Sequence, residues 1–259
     1  MKNYKLIVQY DGTNYSGWQI QKNSKSIQQK ITEAIEVLLK DKINLIGSGR
    51  TDSGVHALGQ AANFRTETEI DIYRFKHSLN SILPSDIVVS AMEEVGLEFH
   101  ARFDAKKRTY LYLITQTKSP FYKNYSYFYP RKIDLEKLTF LSNSFLGEKN
   151  FTSFSKKNDE IENKDCTVYK TIWRKRGEVI LFSIQASRYL HGMVRTIVGT
   201  LLNAQDQPEP ERFIKEIFNS QNREEAFESV PAKGLFLSLI HISEPTRRTP
   251  ISYAVFCLK

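Results

Sequence analysis

The chain has 259 residues, of which 41% are hydrophobic and 25% charged, and its formal net charge is +8. These values are typical of a globular protein of one or two domains, and no apolar run approaches the roughly 20 residues that a membrane span needs. The basic balance favours a polyanionic partner such as nucleic acid. The N-terminus runs directly into a short predicted strand without a signal peptide, so we expect a cytoplasmic protein.

The N-terminal elements are a strand, a loop and a helix. The strand is predicted over residues 6–10 and ends at an Asp-Gly turn signal. An aromatic and glycine-rich segment, YDGTNYSGWQ, covers residues 10–19. A helix follows over residues 27–38, because Ser26 and Gln29 have the spacing of a capping box and an apolar stripe lies behind them.

A tight loop is predicted at residues 47–54, because it contains three glycines between two predicted strands. The loop carries Arg50, Thr51 and Asp52. One interpretation is a turn in which Asp52 caps backbone amides. The other is a catalytic carboxylate that Arg50 keeps ionised. The loop lacks the Gly-Lys-Ser/Thr ending of a Walker loop, which disfavours phosphate binding.

Residues 49–57, GRTDSGVHA, resemble the active-site signature of the TruA family of tRNA pseudouridine synthases. The resemblance extends over residues 4–236 in five ordered motifs. Besides the signature and the segment 10–19, the matching segments are residues 100–112, 151–155 and 188–199.

Later elements mix helices and strands. Asp71 and Asp134 each precede an apolar stripe with helical spacing and are typical N-caps. Strict alternation over residues 109–114 predicts a strand. A hairpin is predicted from Thr167 to Ala186, turning at Gly177, and a last helix follows it. This irregular alternation favours an α+β fold over a purely parallel one.

Three places in this part of the chain have two interpretations each. The segment 99–105 is either a connection between domains or an RNA contact, and we place His100 and Arg102 among the substrate-binding residues. Tyr110 belongs either to the core or to a surface that stacks on a base. Arg195, taken alone, is typical of a surface salt bridge.

The resemblance implies two ferredoxin-like halves, residues 1–105 and 106–236, that share a continuous antiparallel sheet with a central basic cleft. It implies isomerisation of uridine to pseudouridine at positions 38, 39 and 40 of the tRNA anticodon stem-loop. It also implies a homodimer that binds tRNA. The reaction moves no electrons and imports no group, so we expect neither cofactor nor metal.

The same resemblance gives roles to individual residues. Asp52 is the catalytic carboxylate, and Arg195 pairs with it. Arg50 enters the space that the target base leaves when it flips out of the stack. Tyr110 forms a flat wall of the base pocket.

Two other function classes remain open from the residues. A non-catalytic RNA-binding protein or tRNA chaperone on the same scaffold would bind tRNA and give no product. A nucleotide-dependent enzyme would need a cation-rich loop at a helix N-terminus and a metal-binding acid, and neither is found in the sequence.

The C-terminal segment differs from the rest of the chain. Residues 237–247, LSLIHISEPTR, resemble the translation of a sequencing-library adapter, and residues 251–259 resemble its other end. We therefore expect residues 237–259 to be a non-native tail and the closing strand of the fold to be missing. The tail holds three cations and one anion, so the remaining chain is still basic.

Overall fold

The computed structural model describes residues 1–156 and 162–242, with side chains up to residue 238 in the last strand. Five α-helices and ten β-strands lie within these ranges. The helices are α1 (Ile27–Leu39), α2 (Ile72–Ile82), α3 (Leu135–Ser142), α4 (Met193–Ala204) and α5 (Pro210–Ser220). The strands are β1 (Lys2–Tyr10), β2 (Ile46–Gly47), β3 (His56–Thr66), β4 (Ile87–Val95), β5 (Ala105–Thr115), β6 (Tyr127–Phe128), β7 (Gly147–Asn150), β8 (Asp165–Arg176), β9 (Val179–Ala186) and β10 (Leu235–Ile242).

One sheet contains all ten strands of the described residues. Its main path runs β4-β1-β3-β10-β5-β9-β8-β7, while β2 pairs with β3 and β6 with β5. Most neighbours are antiparallel; the exceptions are β10 beside β3 and β6 beside β5. The predicted α+β fold with a continuous, mostly antiparallel sheet is therefore confirmed.

The strand order repeats in the two parts of the chain. The first βαββαβ unit has the order β4-β1-β3-β2, and the second has the equivalent order β10-β5-β9-β8, with β7 added at its edge. Both are ferredoxin-like arrangements. The two units meet where β10 lies between β3 and β5. The division of the chain near residue 105 stays a prediction; β5 begins at Ala105.

The closing strand of the second unit is present. β10 is in register with β5 from Leu235 opposite Tyr112 to Ile242 opposite Ala105. Leu237 is almost completely buried. It therefore lies on the face of the strand that points into the core. The expectation that the closing strand is missing from residue 237 onward is therefore wrong for residues 237–242. That the tail is non-native stays a prediction, and its residues 243–259 lie outside the described residues.

Three helices begin as their capping residues predict. Ser26, Asp71 and Asp134 each accept a hydrogen bond from the backbone N–H three residues later, at 3.0 to 3.3 Å. This bond satisfies one of the free donors of the first turn. Only half of the predicted capping box forms among the described residues: the Gln29 side chain does not accept from the N–H of Ser26, and its amide donates to Glu33 at 2.8 Å.

Helix α5 lies outside the predicted elements. It begins at Pro210, a residue favoured in the first turn. Ile214 and Ile217 are buried at helical spacing, and Ser153 donates to the carbonyl of Ile217 at 2.6 Å. Its apolar stripe was therefore visible in the sequence, and its position against the segment 151–155 was not.

Candidate active site

The glycine-rich loop joins β2 to β3 and carries residues 48–55. Its first backbone N–H, from Ser48, donates to the carbonyl of Ala61 on β3 at 2.9 Å. Near its end, Gly54 has φ +74°, a region that favours glycine. The predicted tight loop between two strands is therefore confirmed, and Asp52 lies within it.

The aromatic segment of residues 10–19 supports this loop from behind. The backbone N–H of Trp18 donates to the carbonyl of Thr51 at 3.2 Å, and the hydroxyl of Tyr10 lies 2.8 Å from Thr51 Oγ1. A Cβ on Gly17 would lie 2.3 Å from the same carbonyl oxygen, so only glycine fits this approach. The segment thus fixes the residue that precedes the candidate carboxylate.

The carboxylate of Asp52 lies between two basic side chains from the N-terminal end of α4. Arg195 Nη1 is 3.7 Å from Asp52 Oδ2, and His191 Nε2 is 3.4 Å from Asp52 Oδ1. The Asp52 side chain is 25% exposed, so a ligand can reach it. Each oxygen therefore faces its own basic side chain, at a distance longer than that of an ordinary hydrogen bond.

Arg195 reaches Asp52 because its own backbone and side chain are both held. Its Nε donates to the carbonyl of Val230 at 2.7 Å, and the N–H of Val230 donates to the carbonyl of Arg195 at 3.3 Å. These bonds leave Nη1 directed at the carboxylate. The structure thus brings together the two residues that the resemblance paired, and the assignment of Arg195 to substrate binding stays a prediction.

Tyr110 on β5 was predicted to be either a core residue or a stacking surface for a base, and its side chain is 8% exposed. Its ring packs edge-on against Tyr189, with centroids 4.9 Å apart. Burial, and after it the charge of Asp52, raises the pKa of the hydroxyl above its ordinary value. Among the described residues, none hydrogen-bonds this hydroxyl. Tyr110 is therefore a core residue, and its neutral hydroxyl interacts electrostatically with the Asp52 carboxylate.

Arg50 is exposed on the loop, two residues before Asp52. Its Nε donates to the side-chain oxygen of Gln19 at 3.2 Å. No ion pair between Arg50 and Asp52 occurs in the described part of the chain, so the sequence-based idea that Arg50 keeps this carboxylate ionised has no direct contact behind it. The proposed entry of Arg50 into the space of a flipped base stays a prediction.

His100 and Arg102 lie in the turn between β4 and β5, and neither contacts Asp52 within the described ranges. Both side chains lie next to the ring of Phe103, which is 68% exposed. The His100 ring centroid lies 4.3 Å from that of Phe103, and the guanidinium of Arg102 lies 5.9 Å from the same ring. An exposed cluster of this composition suits stacking with an unpaired base.

Arg108 connects this turn to the glycine-rich loop, although no role was predicted for it from the sequence. Its guanidinium is partly buried and donates to four backbone carbonyls at 2.9 to 3.2 Å. The acceptors are Ser48, Arg102, Ala105 and Ser187. These carbonyls belong to the loop, the turn before β5 and the segment that leads to α4, so one side chain joins three parts of the site. Only the basic character of the position was visible in the sequence.

His56, the last polar residue of the GRTDSGVHA motif, supports the fold and does not contact Asp52. Its Nδ1 accepts from the N–H of Gly12 at 3.1 Å, and Nε2 lies 3.2 Å from the carbonyls of Asn124 and Lys233. This pattern corresponds to the neutral tautomer with a proton on Nε2. Burial lowers the pKa of His56, and this effect outweighs the opposing charge of Asp11 at 3.0 Å.

A cavity of about 310 Å³ adjoins the end of the loop. Lys118, Lys123 and Lys233 line it, and no acidic residue does. Ala232, which precedes the cavity residue Lys233, lies next to the glycine-rich loop, since a Cβ on Gly54 would be 3.4 Å from its side chain. The charge of the cavity suits a phosphate group of a nucleic acid.

The described residues contain no cluster of three or more His, Cys, Asp or Glu side chains that could hold a metal ion. Within the same ranges, no helix has the length and apolar character that crossing a lipid bilayer requires.

Comparison with known proteins gives a consistent picture. The family described as tRNA pseudouridine synthase matches residues 6–104 and 141–241. The tRNA pseudouridine synthase A of Brachyspira hyodysenteriae is 41% identical over 240 residues, which cover 91% of this chain and 96% of that relative. The enzyme of the same name from Acetivibrio thermocellus is 40% identical over 239 residues, 92% of this chain and 98% of the relative. Among solved structures, a Cbf5-Nop10-Gar1 complex matches 77% of this chain and 53% of its own at 10% identity and a TM-score of 0.37, too low to support an argument.

Proposed function

This chain belongs to the tRNA pseudouridine synthase family, whose members isomerise uridine to pseudouridine in tRNA, and we propose that it acts on uridines 38, 39 and 40 of the anticodon stem-loop. The family membership supports the reaction and the class of RNA. The choice of positions rests on the resemblance of the motifs to TruA enzymes.

The reaction sets the chemical requirements of the site. The N1–C1′ bond of uridine breaks and a C5–C1′ bond forms, so C5 loses one proton and N1 gains one. No electrons leave the nucleoside and no group is added. We therefore propose that the enzyme works without a cofactor or metal, using protein side chains alone.

Asp52 is the proposed catalytic residue, acting by attack on the ribose or base or by removal of a ribose proton. The single observation that carries this proposal is the position of its carboxylate. It is partly exposed on the glycine-rich loop, with Arg195 at one oxygen and His191 at the other. A carboxylate that only capped the turn would be occupied by backbone amides, and no such hydrogen bond to the Asp52 side chain is found within the described ranges.

The other predicted residues fit a flipped base. Arg50 is exposed and can enter the space that the base leaves. Tyr110 keeps a neutral hydroxyl, because burial and then the charge of Asp52 raise its pKa, so it can hold the freed uracil by a hydrogen bond as well as by contact with its ring. The exposed cluster of His100, Arg102 and Phe103 is a proposed contact for a neighbouring nucleotide.

The assembly and location of the enzyme are proposals that rest on the family resemblance. We propose a homodimer in which each tRNA contacts both subunits, and a cytoplasmic protein that meets tRNA there. Sedimentation with and without tRNA tests the first proposal: a monomer under both conditions would contradict it.

A tritium-release assay tests the function. Unmodified tRNA carrying 5-tritiated uridine is incubated with the wild type, with Asp52→Asn and with Asp41→Asn, an exposed control on another loop. We expect release by the wild type and the control, and at least about a thousandfold slower release by Asp52→Asn with tRNA affinity retained. Transcripts with a single uridine at 38, 39 or 40 then identify the positions.

The outcomes separate the alternatives. Release with uridine at other positions only would contradict the proposed target. Binding of tRNA without release by the wild type would favour the non-catalytic RNA-binding protein. Release by Asp52→Asn within tenfold of the wild type would remove Asp52 from the catalytic role.

A further inference from the structure

His191 occupies the second oxygen of the candidate catalytic carboxylate. Its Nε2 lies 3.4 Å from Asp52 Oδ1, while Arg195 Nη1 lies 3.7 Å from Asp52 Oδ2. Asp52 is the acidic residue paired with His191 in the described part of the chain. The two basic side chains therefore face different oxygens of one carboxylate; Arg195 lies in the first turn of α4, and His191 lies just before this helix.

The backbone around His191 fixes the direction of its side chain. The carbonyl of His191 accepts a hydrogen bond from the N–H of Lys156 at 2.9 Å. The next residue, Gly192, has φ +74° and precedes the first turn of α4. This turn lets the chain change direction between His191 and α4. The imidazole before the helix and the Arg195 side chain in its first turn can therefore both reach Asp52.

The chemistry of the reaction requires an oriented carboxylate. Whether Asp52 attacks the nucleoside or removes a ribose proton, one of its lone pairs must point at the reacting atom. Arg195 alone leaves the carboxylate free to rotate about its Cβ–Cγ bond, because it contacts one oxygen. A donor at the other oxygen removes this freedom, and orientation of reacting groups is a large part of catalysis.

We propose that His191 is a positioning residue that donates its Nε2–H to Asp52 Oδ1 and sets the rotation of the carboxylate for reaction. This inference deepens the proposed function and rests on it. The distance of 3.4 Å is longer than an ordinary hydrogen bond, and such contacts commonly shorten when substrate fills a site and excludes water. A neutral imidazole with its proton on Nε2 is sufficient for this role.

Two near-isosteric substitutions test the donor directly. The amide nitrogen of Gln reaches the position of imidazole Nε2, whereas the amide nitrogen of Asn reaches only the position of Nδ1. The variants are His191→Gln, His191→Asn and His191→Ala, with His77→Ala on the exposed side of α2 as control. The single-turnover rate of tritium release and the Kd for tRNA are measured separately for each.

We expect His191→Ala and His191→Asn to slow the single-turnover step by about 10- to 100-fold, with Kd within about threefold of the wild type. His191→Gln should recover the rate to within about fivefold, and His77→Ala should match the wild type. Because His191 is half exposed, thermal unfolding of the variants should coincide with that of the wild type, which separates positioning from a folding defect.

Three results would overturn the proposal. They are a rate for His191→Ala within twofold of the wild type, a loss that lies entirely in Kd, or equal rates for the Gln and Asn variants. Failure of the proposed function looks different, because the wild type itself would then release no tritium from tRNA.

Discussion

The guanidinium of Arg108 donates a hydrogen bond to the carbonyl of Ser48 at 2.9 Å and so links β5 to the first residue of the glycine-rich loop. A second bond of 2.9 Å runs to Ser187, just before the segment that supplies His191 and Arg195. The loop that carries the carboxylate and the segment that carries its basic partners are thus held by the same side chain.

Replacement of Arg108 should loosen both segments together. We expect Arg108→Ala to lower the free energy of unfolding by about 1–3 kcal/mol, because buried carbonyls lose their donors, and to slow turnover as well. Arg108→Lys should recover only part of both, since an ammonium lacks the forked donors of a guanidinium. Urea unfolding and single-turnover kinetics measure the two effects. Lys106→Ala, an exposed neighbour on β5, is the control, and an equal effect there would contradict the assigned role of Arg108.

Tyr110 and Tyr112 form a matched pair on the same strand. The Tyr112 hydroxyl donates to the carbonyl of Pro231 at 2.8 Å, whereas the Tyr110 hydroxyl has no hydrogen-bond partner among the residues described. We therefore expect Tyr112→Phe to lower the free energy of unfolding by about 0.5–1.5 kcal/mol and Tyr110→Phe to leave it unchanged. Tyr110→Phe should instead slow turnover about 10- to 100-fold while tRNA still binds. Unchanged kinetics of Tyr110→Phe would assign this side chain to the core alone.

The raised pKa of Tyr110 predicts a specific pH dependence. A tyrosine whose pKa lies above its ordinary value of 10.0 keeps its proton through pH 10, so its hydroxyl remains a donor across the neutral and mildly alkaline range. The ratio of wild-type to Tyr110→Phe single-turnover rates should therefore be constant from pH 7 to about pH 9.5. A ratio that falls tenfold within this interval would show that Tyr110 titrates there.

The lysines of the 310 Å³ cavity should contribute to tRNA affinity through phosphate contacts. We expect Lys118→Ala and Lys123→Ala each to weaken binding severalfold at low salt and to reduce the slope of log affinity against log salt by about one. Lys215→Ala, on the exposed face of α5, should change neither quantity. Binding isotherms at several salt concentrations give the slopes, and identical slopes for all variants would place the RNA elsewhere.

The closing strand β10, with the residues that this chain has at positions 235–242, should be necessary for stability. Leu237 is almost completely buried between β3 and β5, opposite Tyr110 and Ala57. We expect Leu237→Ala to lower the free energy of unfolding by about 2–5 kcal/mol and Leu237→Met by less than about 1.5 kcal/mol. Equal and negligible effects in a urea titration would indicate that β10 is not part of the folded protein in solution.

Local features of the sequence predicted several helix starts and turns correctly. The N-caps at Ser26, Asp71 and Asp134 and the turn at Gly177 depend on residues within four positions of each other, so their physics is readable from the chain. Helix α5 shows that a readable stripe can still be passed over.

The closing strand shows a different limit. Residues 237–242 were expected to belong to a non-native tail because they resemble a translated adapter. A strand nevertheless forms where an alternating apolar pattern meets two free strand edges. Here β3 and β5 supply those edges. Whether a segment pairs as a strand depends on its side-chain pattern and on the neighbouring strands. It does not depend on whether the segment is native.

By itself the sequence determined that a glycine-rich loop carries Asp52, that strands and helices alternate irregularly as in an α+β fold, and which family its motifs resemble. The tertiary structure decided which groups meet that carboxylate. His191 and Arg195 follow it by more than 130 positions, and Arg108 joins carbonyls from three separate segments. Such contacts depend on how distant strands pair in one sheet, and no local pattern of residues encodes the distance between side chains that the pairing brings together.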